Sequence, residues 1–470
     1  MDNPITKKVA EFIVDTNFEH IPRDVIEGSR AFFYDGLGVA LCGAKQDCSR
    51  MVRDFVAACG GRPEASVLGT GLRAPAQLAA LANGVAGHAD DYDDTQIASL
   101  PDRVTGLLVH PTTPVLAAAL AVAEARDRSG RDLLAAYNIG VEVECKLAEA
   151  INPEHYRRGF HSTGTLGALG AVAAASKLLD LSLDKVIRAL GIAASMSAGL
   201  RVNFGTMTKP LHAGRAAENG VVAALLAERG FTSSPDVFDS QWGFFQIMGG
   251  GFDAGYLESR LASPWQIQSP GISIKPYPCG SLGHPTMDAV RDLLREHQVK
   301  PEQIERIDVE AASNIVAALR YTEPENELEA KFSLQYGVTL IALFGRAGIR
   351  EYTDETVRDP NVRRFMKERV RVYNTPDIDA RGYDRMHTVV RIRLTDGTVL
   401  TRDAQIARGY PERPLSPEEQ MEKFTEGAQG VLDPSAAEDV WQAVQRLEEL
   451  PSARSLLSRL VRPPAEPVAG

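Results

Sequence analysis

The chain has 470 residues, 44% of them hydrophobic and 24% charged, and carries a formal net charge of -11. These values describe a globular protein with room for two or three domains and, being acidic, argue against a nucleic-acid or anionic-membrane partner, since both select basic surfaces. No apolar run approaches the roughly 20 residues of a membrane span, no signal-peptide core follows Met1, and Cys42, Cys48, Cys59, Cys145 and Cys279 have neither zinc-site nor disulfide-scaffold spacing, so a cytoplasmic protein with reduced thiols is expected.

In chain order, residues 5–17 form a first predicted helix, ended by the turn at Ile21-Pro22. A second covers 26–41, and alanine-rich helical patterns follow at 76–86, 113–126, 130–150 and 164–179. Such small side chains let helices approach closely, which predicts a densely packed all-α body. The composition changes near Pro264-Trp265-Gln266. Strand-like alternation is then expected at 272–277, 304–310 and 388–394, the last before an Asp396-Gly397 turn, with helices at 284–297 and 331–344. Helices return at 416–427 and 436–447, the first opened by Ser416-Pro417-Glu418-Glu419. The expected fold is mainly α: an all-α helical body in two chain segments, 1–266 and 410–460, with a smaller α+β lid domain inserted at 267–409 and a disordered tail at 461–470. A cleft between such parts is a natural ligand site.

The stretch GHADDYDDT, residues 87–95, sets a histidine, four carboxylates and a hydroxyl in an apolar region. On a helix or helix end, Asp91 and Thr95 would share one face and Asp90 and Asp94 another. The same residues match DDxxD, the magnesium-diphosphate signature of prenyl-transferring enzymes, but the second acidic motif that such a site needs is absent from the sequence. Four later loops each place basic or hydroxyl side chains at a helix start: His110 before Pro111, His161, Lys209 with His212, and Lys275 with Ser281 and His284. Each loop alone is ordinary.

Taken together and in this order, GHADDYDDT, HPTTPV, GFHSTGTLGALGAVAAA, FGTMTKPLHAGRAAENG and KPYPCGSLGHPTMDA resemble the MmgE/PrpD family, which includes 2-methylcitrate dehydratase, cis-aconitate decarboxylase and iminodisuccinate epimerase. The likeness extends from Ile21-Pro22 to Pro414-Leu415-Ser416. It implies a helical domain with a lid, a homodimer, a small polycarboxylate substrate and no metal or organic cofactor. By motif, the family's active-site positions fall on Asp91, Thr95, His110, His161 and Lys209, with Lys275 and His284 from the lid.

These residue types suit proton transfer at a carbon next to a carboxylate, where lysines and histidines stabilise the developing charge. Asp91 and His110 are the expected acid/base pair, with Thr95 orienting. His161, Lys209, Lys275 and Arg201 are expected to bind substrate carboxylates, with Asn203, His212, His284 and Ser281 completing the binding wall. His88, Asp90, Asp93 and Asp94 are expected as supports. The link 96–109, carrying Asp102 and Arg103, is longer than the short link associated with the decarboxylase. The expectation is therefore dehydration of a citrate-like hydroxy acid, ahead of epimerisation of an iminodisuccinate-like acid and decarboxylation of the cis-aconitate type. Magnesium-dependent prenyl transfer and a non-catalytic carboxylate-binding paralogue are distant alternatives.

Overall fold

The computed structural model describes residues 4–461 except 101–102, 108, 152, 382–385 and 434, with the backbone alone for 97–100 and 103–107. The expected tail lies outside the described residues from 462 onward, and so does Asp102. The fold is mainly α with a small α+β part. Among the described residues no helix is long and apolar enough to cross a membrane.

Helices Ala76–His88, Thr112–Ala125, Ser162–Leu178 and Thr208–Glu228 pack together with Gly130–Ile151. Their alanines combine the strongest helix propensity with a narrow cross-section, so packing brings backbones close. The tightest approach joins Ala76–His88 to Thr208–Glu228: a Cβ added to Gly84 would lie 2.8 Å from the Gly214 Cα, and one added to Gly214 would lie 2.6 Å from the Leu81 carbonyl oxygen. Only glycine fits at that crossing. The contact sets His88, in the last turn of one helix, beside Lys209, in the first turn of the other.

A second hydrophobic cluster, separate from that of the helical body, is built around a four-stranded sheet in the order Val370–Tyr373, Ile304–Ala311, Thr388–Leu394, Val399–Ala404. The first pair is parallel and the others antiparallel. Ile307, Val309 and Ala311 point into this cluster while Arg306, Asp308 and Glu310 alternate on the other face, the period-2 pattern of a half-buried strand. Helices His284–Glu296 and Leu334–Phe344 cover the apolar side. The chain then returns to the helical body through Pro417–Ala428, opened by the Ser416/Glu419 capping box.

Two expectations change, and the link after Thr95 gains a structure. The predicted strand at 272–277 is an extended segment whose Ser273 makes an isolated bridge to Thr95, so it ties the acidic stretch down instead of joining the sheet. The helix expected over 331–344 starts at Leu334, capped by Ser333, and leaves Lys331 outside it. The link after Thr95 pairs as a hairpin, Ile97–Leu100 with Arg103–Leu107.

Helix Gly130–Ile151 carries buried acids through the core. The Glu142 carboxylate accepts the Ala262 and Gln266 N–H groups at 2.7 and 2.6 Å, whereas neither Glu144 oxygen has a hydrogen-bond partner among the described residues. Burial, reinforced by Asp94 and Asp93, pushes the Glu144 carboxyl well above the usual range. A raised folded-state value means that the folded protein binds this proton more tightly than the unfolded chain, so stability is lost as pH rises past the ordinary carboxyl range. Glu144→Gln cannot titrate. Urea denaturation should find the variant equal to wild type near pH 4 and increasingly more stable above it, by about 1.4 kcal/mol per pH unit until the folded-state value is reached; a constant difference would contradict this account.

Candidate active site

Helix Ala76–His88 stops at His88, and residues 89–95 cross the core as a buried loop. The expected helical face shared by Asp91 and Thr95 therefore does not exist. Asp91 adopts φ 51, a left-handed conformation that aspartate tolerates better than most residues, and successive carboxylates turn to different partners. Asp90 accepts from Gln46 at 2.7 Å and Lys331 at 3.1 Å. Asp91 Oδ1 accepts from Lys209 at 2.5 Å and lies 3.1 Å from Lys275 Nζ, while the Asp91 carbonyl takes a Lys275 hydrogen bond at 2.7 Å. The Tyr92 carbonyl accepts from Lys423 at 2.9 Å, and that lysine also pairs with Asp35 at 2.7 Å. Asp93 accepts from His88 Nδ1 at 2.8 Å and Thr113 at 2.8 Å, and Asp94 from the Thr112 N–H and hydroxyl at 3.1 and 2.5 Å. Buried carboxylates persist only when paired in this way.

His110 is fixed by the same loop. Its N–H donates to Thr163 Oγ1 at 3.0 Å, and its Nδ1 lies 2.8 Å from the Asp94 carbonyl and 3.3 Å from Thr95 Oγ1. A carbonyl only accepts, so Nδ1 carries the proton and Nε2 is left with its lone pair. Burial, with Lys275 and Lys209 prevailing over the opposing pull of Asp93, holds His110 well below the usual histidine range. The ring is neutral near pH 7. Burial alone would raise the Asp91 carboxyl, but Lys209 and Lys275 outweigh it and hold it well below the usual range.

Asp91, His110, Lys209, Lys275 and Ser281 form the polar wall of an enclosed cavity; Phe204, Leu282, Leu319 and Phe332 form its apolar wall, with Tyr156 at the side. Ser281 Oγ is 3.0 Å from Thr95 Oγ1. Lys209 Nζ sits 5.4 Å from the centroids of both Phe204 and Phe332. His161 lies behind His88, ring centroids 5.6 Å apart, with its Nδ1 3.0 Å from His212 Nδ1. Of the expected site residues, Asp91, Thr95, His110, His161, Lys209, Lys275 and Ser281 thus converge and His212 backs His161. Three are placed differently. His284 Nε2 lies 3.1 Å from the Cys279 carbonyl, the Arg201 guanidinium stacks 3.7 Å over the Tyr156 ring, and Asn203 is half-buried in a 3-10 turn that caps Thr206.

The larger clefts at the surface, one of them lined by Arg291, Arg346 and Arg408 with Glu351 and Glu419, lie apart from this chemistry. One ring nitrogen each of His88, His110 and His161 falls within 4.8 Å of the others. Lys209, whose ammonium donates to His88 Nε2 at 2.8 Å, occupies that corner with its own positive charge, and Asp93 holds His88 Nδ1. This arrangement fits a metal ion poorly. The DDxxD reading fails on geometry, because Asp90 and Asp94 face different partners, and burial, with Asp93 nearby, pushes the Asp94 carboxyl up to about 8, a poor ligand near neutrality.

Sequence reasoning missed Lys331, Lys423 and the apolar wall. Lys331 follows a short helical turn, Glu327–Ala330, and Lys423 lies on the helix Pro417–Ala428. Neither has a local signal that separates it from a solvated lysine.

Two family profiles fit the chain: the MmgE/PrpD N-terminal domain matches residues 7–257 and the MmgE/PrpD C-terminal domain residues 277–449. The chain is 31% identical to the cis-aconitate decarboxylase of Mus musculus, over 98% of this chain and 94% of that protein. It is 30% identical to the Homo sapiens cis-aconitate decarboxylase, over 98% and 95%. Likeness to the 2-methylcitrate dehydratase of Salmonella typhimurium is 23%, over 52% of each chain.

Removing the counter-charge of Asp90 tests how the loop is held. Lys331→Met leaves a buried carboxylate unpaired and should destabilise the protein by about 3–5 kcal/mol in urea denaturation near pH 7; a loss below about 1 kcal/mol, the size of an exposed pair, would show that the pair does not hold the loop.

Proposed function

This chain belongs to the MmgE/PrpD family, and we propose that within it the protein is a lyase that decarboxylates a small polycarboxylate of the cis-aconitate class, using its own side chains. The observation that carries this reading is His110, locked by the Asp94 carbonyl so that Nε2 is free for proton transfer beside two lysine ammoniums. The whole-length likeness to two cis-aconitate decarboxylases, against a half-length likeness to a dehydratase, favours decarboxylation over the dehydration expected from the longer link.

In the ligand-free site Lys209 and Lys275 are both turned to Asp91. A substrate carboxylate competes for these ammoniums. When the carbon–carbon bond to the departing carboxylate breaks, CO2 leaves and the electron pair stays on carbon, delocalised toward the adjacent carboxylate; the ammoniums stabilise that charge in an enclosed, water-poor cavity. As negative charge develops on the carbon, His110 Nε2 takes up a proton from solvent and passes it to that carbon. The ring thus goes through the imidazolium form and returns to its neutral Nδ1–H state once per turnover. Phe204, Leu282, Leu319 and Phe332 accommodate the carbon skeleton and the apolar CO2.

Dehydration of a citrate-like hydroxy acid is the second reading. It is favoured by the neutral state of His110, whose bare Nε2 is ready to abstract a proton.

Proton NMR in D2O with cis-aconitate, citrate, 2-methylcitrate, tartrate and iminodisuccinate decides between them. Decarboxylation consumes cis-aconitate and places one deuterium on the product carbon, with CO2 released; dehydration converts a hydroxy acid to an unsaturated acid. Absence of both turnover and deuterium uptake with all five acids would sink the lyase reading. His110→Ala should lower kcat by about 10²- to 10⁴-fold on whichever acid reacts, and activity within a few-fold of wild type would remove His110 from the chemistry.

A further inference from the structure

His161 and His212 make a contact that the proton chemistry at His110 does not use. Their Nδ1 atoms are 3.0 Å apart, a hydrogen-bond distance that requires one ring to donate and the other to accept. His161 is buried, and its Nε2 has no hydrogen-bond partner among the described residues. His212, on helix Thr208–Glu228, is only partly buried. The pair thus joins an unpartnered buried nitrogen beside the site to a ring that solvent reaches.

We propose that His212 loads a proton onto this pair when a polycarboxylate enters the site: His212 takes the proton from solvent, donates its Nδ1–H to His161, and so obliges His161 to carry its own proton on Nε2, as a donor for the bound anion. The inference rests on the polycarboxylate reading of the site. It makes His212 a positioning residue, acting on substrate through the tautomer of His161.

The groups around the pair explain why loading waits for an anion. From Ala76–His88 comes His88, from the start of Thr208–Glu228 comes Lys209, and from the loop before Thr112–Ala125 comes His110. Burial first, then basic neighbours, lowers both rings: Lys209, His88 and His110 act on His161, and His88 and Lys209 on His212. The ligand-free pair is therefore neutral near pH 7. His212 is pulled down only to about 4, whereas His161 and His110 are held well below the usual range. When a polyanion adds negative charge beside Lys209, the least costly place for a new proton is the half-exposed ring. A cation there also forces the neighbouring tautomer, since both of its nitrogens then donate.

Isothermal titration with tricarballylate, a saturated tricarboxylate with neither hydroxyl nor double bond to react, tests this in buffers of different ionisation enthalpy near pH 7. Wild type should take up protons on binding, up to about one per site, and its dissociation constant should rise by up to about tenfold per pH unit from about pH 4, the free value of His212, up to its bound-state value, because a bound-state histidine value raised above its free value favours binding at lower pH. His212→Gln keeps a hydrogen-bonding side chain but cannot be charged, so it should still bind while losing the uptake and the pH slope. Uptake that survives in His212→Gln, or wild-type affinity that does not vary with pH, overturns the inference alone. Failure of wild type to bind tricarballylate at millimolar concentration overturns the polycarboxylate reading and this inference with it.

Discussion

Everything in this molecule is arranged around the cost of burying the carboxylates of residues 90–94. An isolated carboxylate in a protein interior loses several kcal/mol of solvation, and here Asp90, Asp91, Asp93 and Asp94 are all buried within five residues. The protein offsets that cost in three ways. Lysines reach in from three distant parts of the chain, a histidine shares its proton with Asp93, and Asp94 keeps its own. Because Lys275 and Lys331 come from the α+β part and Lys209 and Lys423 from the helical part, satisfying the loop is the same event as joining the two parts. Binding charge and domain arrangement are one constraint.

That constraint explains the character of the cavity. The ammoniums that hold Asp91 are the ones a substrate anion would need, so such an anion would replace an existing partner instead of meeting a bare positive field. Phe204, Leu282, Leu319 and Phe332 line the same pocket, two of them beside Lys209. Charged and apolar side chains thus line one small pocket, the combination that the proposed substrate class calls for.

Much of this was legible in the sequence, and the missing parts share a cause. Asp91, His110, Lys209 and Lys275 could be found because each stands in or at the edge of a short segment of unusual composition next to a helix, alanine-rich for the first three. The continuation of the acidic stretch as a helix was wrong because the partners of Asp90, Asp91 and Tyr92 lie up to 331 positions away, and those distant contacts outweigh local propensity. Lys331 and Lys423 stayed hidden for the same reason: a buried lysine is recognised by the carboxylate or carbonyl that it meets, and nothing near it in sequence records that meeting. The edge strands Val370–Tyr373 and Val399–Ala404 likewise depend on their neighbours for their state.

The hairpin after Thr95 has a consequence for how such a protein can change. Its base is closed by the Gln96 N–H donating to the Val109 carbonyl at 2.9 Å, and Thr95 is bonded on its other side to Ser273 at 2.8 Å. Thr95 and His110 are therefore both anchored just outside the excursion. Lengthening a loop with clamped ends adds only slowly growing closure entropy. The length of this link can therefore change while Thr95 and His110 keep their positions, which makes it a weak guide to reaction type.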